Sequence, residues 1–370
     1  MSRATTVRLD LGALVHNLRR VRAAAPGRRV AAAVKADGYG HGLLRVAAAL
    51  DADAFAVASI EEALSLREAG VARPVLLLEG VFEAAELPLC ARYGLEIAVH
   101  HPEQLRMLDG ARVEQPLRVW LKIDTGMHRL GLAPDTVAAN LQRLRDCPAV
   151  DARQIGFMSH LARADERDGA ATRQQLQQFE AATAGLLGAR SLANSAAILG
   201  WPDTHFEQVR PGIMLYGASP FVDGQAPDED LRPVMTLSTR LISIKRLLKG
   251  EPVGYGGTWS CPEDMDVGVA AVGYGDGYPR HAPSGTPVLI GGREAALIGR
   301  VSMDMITLDL RRHPEARIGD PVLLWGEGLP VERIAAAAGT ISYTLLCGVT
   351  ARVRREVLPA LPPVPARQPA

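Results

Sequence analysis

Between Val30 and about Tyr216 the chain alternates short apolar runs with amphipathic stretches, and the runs read as strands at 30–34, 54–58, 74–78, 95–99, 117–123, 153–158, 191–193 and 206–210. Helical periods fall between them. Leu11, Leu14, Val15 and Leu18 repeat at helical spacing behind Asp10, a candidate N-cap, and Ser59 with Glu62 spells a capping box ahead of Ala63, Leu64 and Leu66. Strands alternating with helices over about 200 residues predict a parallel barrel. An open dinucleotide-binding sheet is disfavoured because the one Gly-rich loop, 38–42, lacks a G-x-G-x-x-G pattern.

After Pro233 the texture changes. Apolar segments at 234–247, 267–272, 287–290, 295–301 and 321–325 are separated by Gly and Pro turns, with a single helical stretch at 331–338. The expected fold is therefore α/β: an N-terminal (β/α)8 barrel over 1–233 and a mainly β domain over 234–357. The tail 358–370, which contains Leu-Pro-Pro-Val-Pro, is expected to be extended or disordered.

Composition removes whole classes of function. Lys plus Arg equals Asp plus Glu at 41 each, so no basic field is available for nucleic acid or an anionic membrane surface. Cys90, Cys147, Cys261 and Cys347 form no C-x-x-C pair, which argues for buried free thiols and against a metal or redox site. No stretch approaches the roughly 20 apolar residues of a membrane span, and the N-terminus lacks the apolar core of a signal peptide. A cytoplasmic enzyme is expected.

In a parallel barrel the reacting groups come from the C-terminal ends of strands. Lys35 follows the first predicted strand; Lys122, Asp124 and Arg129 follow the fifth; His160 follows the sixth. Asn194 and Ser195 follow the seventh, and Arg210, Gly212 and Ile213 the eighth. Taken singly these residues have plainer readings: Lys35 as a strand cap at a Gly-rich turn, Ser195 as a helix N-cap, Arg210 as a salt-bridge partner, and Tyr255 as a packing residue in a turn.

The string Val-Lys-Ala-Asp-Gly-Tyr-Gly-His-Gly from Val34 to Gly42 resembles the cofactor-lysine signature of the alanine racemases, which bind pyridoxal 5'-phosphate (PLP) as a Schiff base. Ala-Asn-Ser-Ala-Ala at Ser195 and Val-Arg-Pro-Gly-Ile-Met-Leu-Tyr-Gly at Arg210 are similar to further segments of that family, and the resemblance runs from about Val7 to Arg354. It implies that Lys35 carries the cofactor. Tyr39, Ser195, Gly212, Ile213 and Tyr343 would hold its phosphate, Arg129 its phenolic oxygen, and Arg210 its pyridine nitrogen. An arginine there, unable to give up its proton, keeps that nitrogen unprotonated and the cofactor a weak electron sink, which suits proton exchange over decarboxylation.

The resemblance also assigns a second base. Pro-Val-Gly-Tyr-Gly-Gly-Thr-Trp matches the segment that places Tyr255 on the substrate face opposite Lys35, its acidity tuned by His160 and Arg210. In that family the tyrosine comes from the other subunit of a head-to-tail homodimer. Arg129 and the Met303 backbone amide would bind the substrate carboxylate, and Tyr274 would stand at the mouth of the substrate channel. Lys122 beside Arg129 implies a carbamylated lysine, which turns a repulsive cation into an anion. His128 stands where relatives often have glycine, and Ser302 where they vary among small residues. The implied function is alanine racemisation. The alternatives are a racemase of broader specificity, a PLP-carrier protein, which would lack the second domain, or a basic amino-acid decarboxylase, against which Arg210 argues.

Overall fold

The computed structural model describes residues 3–359. It opens with β1 (Thr6–Asp10) and the helix Leu11–Ala24; Asp10 caps that helix as expected, its carboxylate accepting the Ala13 N–H at 3.0 Å. Eight strands then form the barrel: β2 (Arg29–Ala33), β3 (Ala54–Val57), β4 (Val75–Leu77), β5 (Leu95–Val99), β6 (Leu117–Lys122), β7 (Val150–Met158), β8 (Arg190–Ser191) and β9 (Gln208–Val209). They pair in parallel in the order β8-β7-β6-β5-β4-β3-β2-β9.

The last gap is bridged between β8 and β9. The Arg210 N–H donates to the Ala193 carbonyl at 2.9 Å, and the Ser191 hydroxyl to the Gln208 carbonyl at 2.8 Å. The strands are apolar on both faces because both are buried. Ala56, Leu76, Ala98, Trp120 and Met158 fill the interior, while Phe55, Val75, Ile97 and Val119 belong to the larger core against the helices.

The second sheet takes β10 (Met235–Leu247), then, beyond a two-stranded ribbon of β11 (Pro252–Val253) and β12 (Trp259–Ser260), β13 (Met265–Ala270), β14 (Pro287–Ile290), β15 (Arg293–Ile298), β16 (Ile306–Asp309), β17 (Pro321–Trp325) and β18 (Arg354–Leu358). Its order is β13-β16-β15-β14-β17-β10-β1-β18, and β13 also pairs with β10, so six strands close on themselves. β1 lies antiparallel to β10 and parallel to β18, which brings both ends of the described chain into this sheet.

Several local expectations change: the second domain holds two helices, Val331–Ala337 and Ser342–Gly348, where one is expected. Ser59 makes no capping bond, and Glu62 accepts instead from Ala58 N at 2.9 Å and, across the barrel rim, from Ala36 N at 2.7 Å. Its carboxylate is drawn to the two amides left open where strands end. β18 runs to Leu358, the first residue assigned to the tail; residues 360–370 lie outside the described residues. Among the described residues no helix is long and apolar enough to cross a membrane.

Candidate active site

Lys35 leaves β2 into a turn of unusual hand. Ala36, Asp37, Gly38 and Tyr39 have φ of 53°, 53°, 60° and 53°, a left-handed conformation that costs a non-glycine residue roughly 1–2 kcal/mol. Side chains hold it in place. Glu62 takes the Ala36 N–H, Asp37 Oδ1 accepts the Leu43 N–H at 2.8 Å, and His41 Nδ1 lies 3.1 Å and 2.8 Å from the Gly38 and Tyr39 carbonyls. Those two acceptors place the His41 proton on Nδ1. Burial pushes its pKa down to about 4, so the ring is neutral. It sits 4.8 Å from Tyr216, which stacks on Tyr39 at 4.5 Å. A Cβ on Gly40 would stand 2.3 Å from the Leu346 carbonyl oxygen, so glycine alone lets the turn pack against the helix Ser342–Gly348.

Around this turn, at the C-terminal end of the barrel, lies a cavity of about 600 Å³. It gathers Lys35, Tyr39, Lys122, Arg129, His160, Ser195, Arg210, Gly212, Ile213 and Tyr343, residues spread over most of the chain. Glu79, Cys347 and Asn194 also line it. The strand-end rule finds Glu79, just beyond β4, and Cys347 follows Tyr343 by one helical turn. Cys347 is exposed, whereas Cys90, Cys147 and Cys261 are buried as expected.

Arg210 is buried, and among the described residues no carboxylate lies within its hydrogen-bonding reach. Its Nη1 donates to Ser191 Oγ at 2.5 Å and its Nη2 to the Ser159 carbonyl at 2.5 Å, with His160 Nδ1 3.5 Å away. Burial lowers its pKa to about 10, which leaves it charged at neutral pH, and none of these bonds uses Nε. Burial, then Arg210, Arg129, Lys122 and Lys35, hold His160 well below its ordinary pKa. Lys122 is likewise pushed down to about 8, by burial first and then by Arg210 and Arg129; among the described residues its Nζ bonds only the Leu78 carbonyl, at 3.4 Å.

Ser195 is not the N-cap of its helix. Asn194 takes that place by accepting the Ala197 N–H, and Ser195 Oγ accepts from Gly212 N at 2.8 Å and Met214 N at 3.4 Å. With its lone pairs engaged, the hydroxyl proton is left to donate. Gly212 must be small: a Cβ there would lie 2.4 Å from Tyr39 Oη. Burial raises the pKa of Tyr39, with Tyr343 and Cys347 adding to it, and pushes Tyr343 up to about 12, so both phenols are neutral donors.

Tyr255, Tyr274 and Met303 are not brought to this cavity. They lie in the second domain and are 70%, 40% and 53% exposed. Tyr274 and Met303 are neighbours, since the Tyr274 N–H donates to the Ser302 carbonyl at 3.1 Å and the Gly275 N–H to the Met303 carbonyl at 2.9 Å.

The cavity fits PLP. An amine on a rigid turn suits its aldehyde, and hydroxyl and amide donors in a field of Lys35, Lys122, Arg129 and Arg210 suit its phosphate. A family model for the alanine racemase N-terminal domain matches residues 9–220, and one for the C-terminal domain matches 234–357. The chain belongs to the alanine racemase family. Membership makes it an isomerase, an amino-acid racemase. It is 58% identical over 351 residues to the alanine racemase of Nitrosococcus oceani, covering 94% of this chain and 98% of that one. The biosynthetic alanine racemase of Pseudomonas aeruginosa superposes with a TM-score of 0.94 at 48% identity, over 96% of this chain and 99% of that one. The enzyme of Bartonella henselae, solved with covalently bound pyridoxal phosphate, gives 0.86 at 27% identity, over 96% and 99%.

Proposed function

We propose that the protein interconverts L- and D-alanine with PLP held on Lys35, in a biosynthetic role within the cytoplasm. The observation that carries this reading is the pairing, in one cavity, of Lys35 with an arginine bonded to carbonyl and hydroxyl oxygens and to no carboxylate. Bound PLP supplies an aldehyde for the substrate amine and a ring that draws electrons from the α-carbon. Tyr39, Ser195, Gly212, Ile213 and Tyr343 would hold its phosphate. Arg129 orients the phenolic oxygen, and Arg210, permanently protonated, denies a proton to the ring nitrogen. Electron withdrawal then stays modest, which limits the chemistry to proton exchange.

Inverting the α-carbon needs a proton removed on one face and delivered on the other. The Lys35 amine serves one face. For the other we assign Tyr255 of the partner subunit in a homodimer; its exposure, and its absence from its own chain's cavity, support that arrangement. Arg210 donates to His160 Nδ1, so the His160 Nε2–H is free to donate to that tyrosine. Arg129 and the Met303 amide of the partner subunit bind the substrate carboxylate, with Tyr274 at the entrance.

Replacing Lys35 with Ala tests the reading. Schiff-base absorbance and racemisation are expected to vanish together, and normal turnover with absorbance retained would refute it. A panel of L-amino acids separates alanine specificity from a broader racemase.

A further inference from the structure

Asp276 is fully enclosed, and all of its acceptor positions are used. Oδ1 accepts from Arg3 Nε at 3.1 Å and Arg352 Nε at 2.7 Å; Oδ2 accepts from Arg3 Nη2 at 2.7 Å and Gly273 N at 2.9 Å. The two arginines come from opposite ends of the chain and reach onward to one segment. Arg3 Nη2 donates to the Asp304 carbonyl at 2.9 Å, and Arg352 Nη2 to Asp304 Oδ1 at 2.8 Å and the Met303 carbonyl at 3.4 Å. Since Gly275 N also bonds the Met303 carbonyl, the Tyr274 turn and residues 302–304 are sewn into one unit.

That unit is clamped on its other side to the helix of Tyr343. The Thr350 N–H donates to the Asp276 carbonyl at 3.1 Å and its hydroxyl to the Gly275 carbonyl at 2.9 Å. A Cβ on Gly277 would lie 2.2 Å from the Gly348 carbonyl oxygen, the last residue of the helix Ser342–Gly348. The same helix lies against Gly40 of the Lys35 turn.

We propose that Asp276 is a positioning residue that ties the surface a subunit offers to its partner's active site, Tyr274 and Met303, to the helix that walls its own, through Tyr343. The inference rests on the shared-site dimer proposed above. Through this carboxylate a shift of substrate-binding groups in one site is transmitted to the cofactor wall of the other.

Hybrid dimers test it. One chain carries Lys35→Ala and the other Tyr255→Phe, so each hybrid holds one complete site, with Tyr274 and Met303 from the first chain and Lys35 and Tyr343 from the second. Arg352→Gln is placed in each chain in turn. In the Lys35→Ala chain it is expected to raise KM for alanine about tenfold with a smaller change in kcat, since a charge-assisted bond is lost. In the Tyr255→Phe chain it is expected to weaken PLP uptake by the stripped hybrid about fivefold, read by absorbance titration. Arg352→Lys, which keeps a charged donor, is expected to recover part of both. Parental KM and PLP affinity in both placements, or an effect in only one, overturns the link. A parent hybrid with no activity removes the shared site, and the proposal with it. Asp276→Asn provides a second variant, expected to raise KM when placed in the Lys35→Ala chain and to weaken PLP uptake when placed in the Tyr255→Phe chain; Arg3→Gln, at a partly exposed residue, replaces it if that chain fails to fold.

Discussion

Single residues here take their character from the groups the barrel sets beside them. Lys122, pushed down to about 8 by burial and by Arg210 and Arg129, is half deprotonated near that pH and able to take up CO2 as a carbamate. The product would place an anion among those arginines. Crystals of the enzyme are expected to show density for the added carboxyl group at Lys122; clear density for a bare ammonium would sink the idea. Tyr255→Phe is expected to suppress α-proton exchange from one enantiomer far more than from the other, measured by solvent deuterium incorporation, and equal losses would count against two bases. His128 adopts a φ of 56°, a conformation that favours glycine, and its Nδ1 sits 3.0 Å from Asp124 Oδ2, a contact that offsets part of the strain.

At the scale of elements, the left-handed turn after Lys35 is strained locally and restrained from outside. Gly40→Ala forces a methyl into the Leu346 carbonyl at a φ of 79°, and is expected to cost roughly 1–3 kcal/mol in urea unfolding of the cofactor-free protein. PLP uptake is expected to fall with it, and an unchanged unfolding midpoint would show that the packing against the helix Ser342–Gly348 is unimportant. The barrel strands were legible because strands buried on both faces are apolar throughout. β1, β16 and β18 are not: β1 and β16 alternate buried with more exposed positions instead of forming an apolar run, and β18, Arg-Arg-Glu-Val-Leu, is largely exposed and so carries no hydrophobic signal. Spacing reports local partners only, so Glu62 reads as a cap for its own helix, whereas its bond to Ala36 joins residues 26 apart.

Over the whole molecule, burial keeps His41, His100, His160 and His205 below their ordinary pKa. The unfolded chain binds protons at these positions as pH falls through 6.5, while folded His41 resists until about 4. Stability is therefore full above the unfolded value and declines as pH falls between those limits. Urea midpoints are expected to drop from about pH 7.5 to about pH 5, and His41→Asn to flatten the slope; a midpoint independent of pH over that range would refute the account.

By itself the sequence determined the two-part architecture and the chemical types at the strand ends, because alternation of apolar runs is a local property and a parallel barrel brings its strand ends together. It also contained the string at Lys35 by which the family is recognised. Only the tertiary structure decided the hand of the Lys35 turn, the redirection of Ser195 and Glu62 from caps to distant amides, and the enclosure of Asp276 between arginines from both chain ends. Each of these depends on groups far apart in sequence meeting in a space from which water is excluded, where a hydrogen bond left unmade is costly.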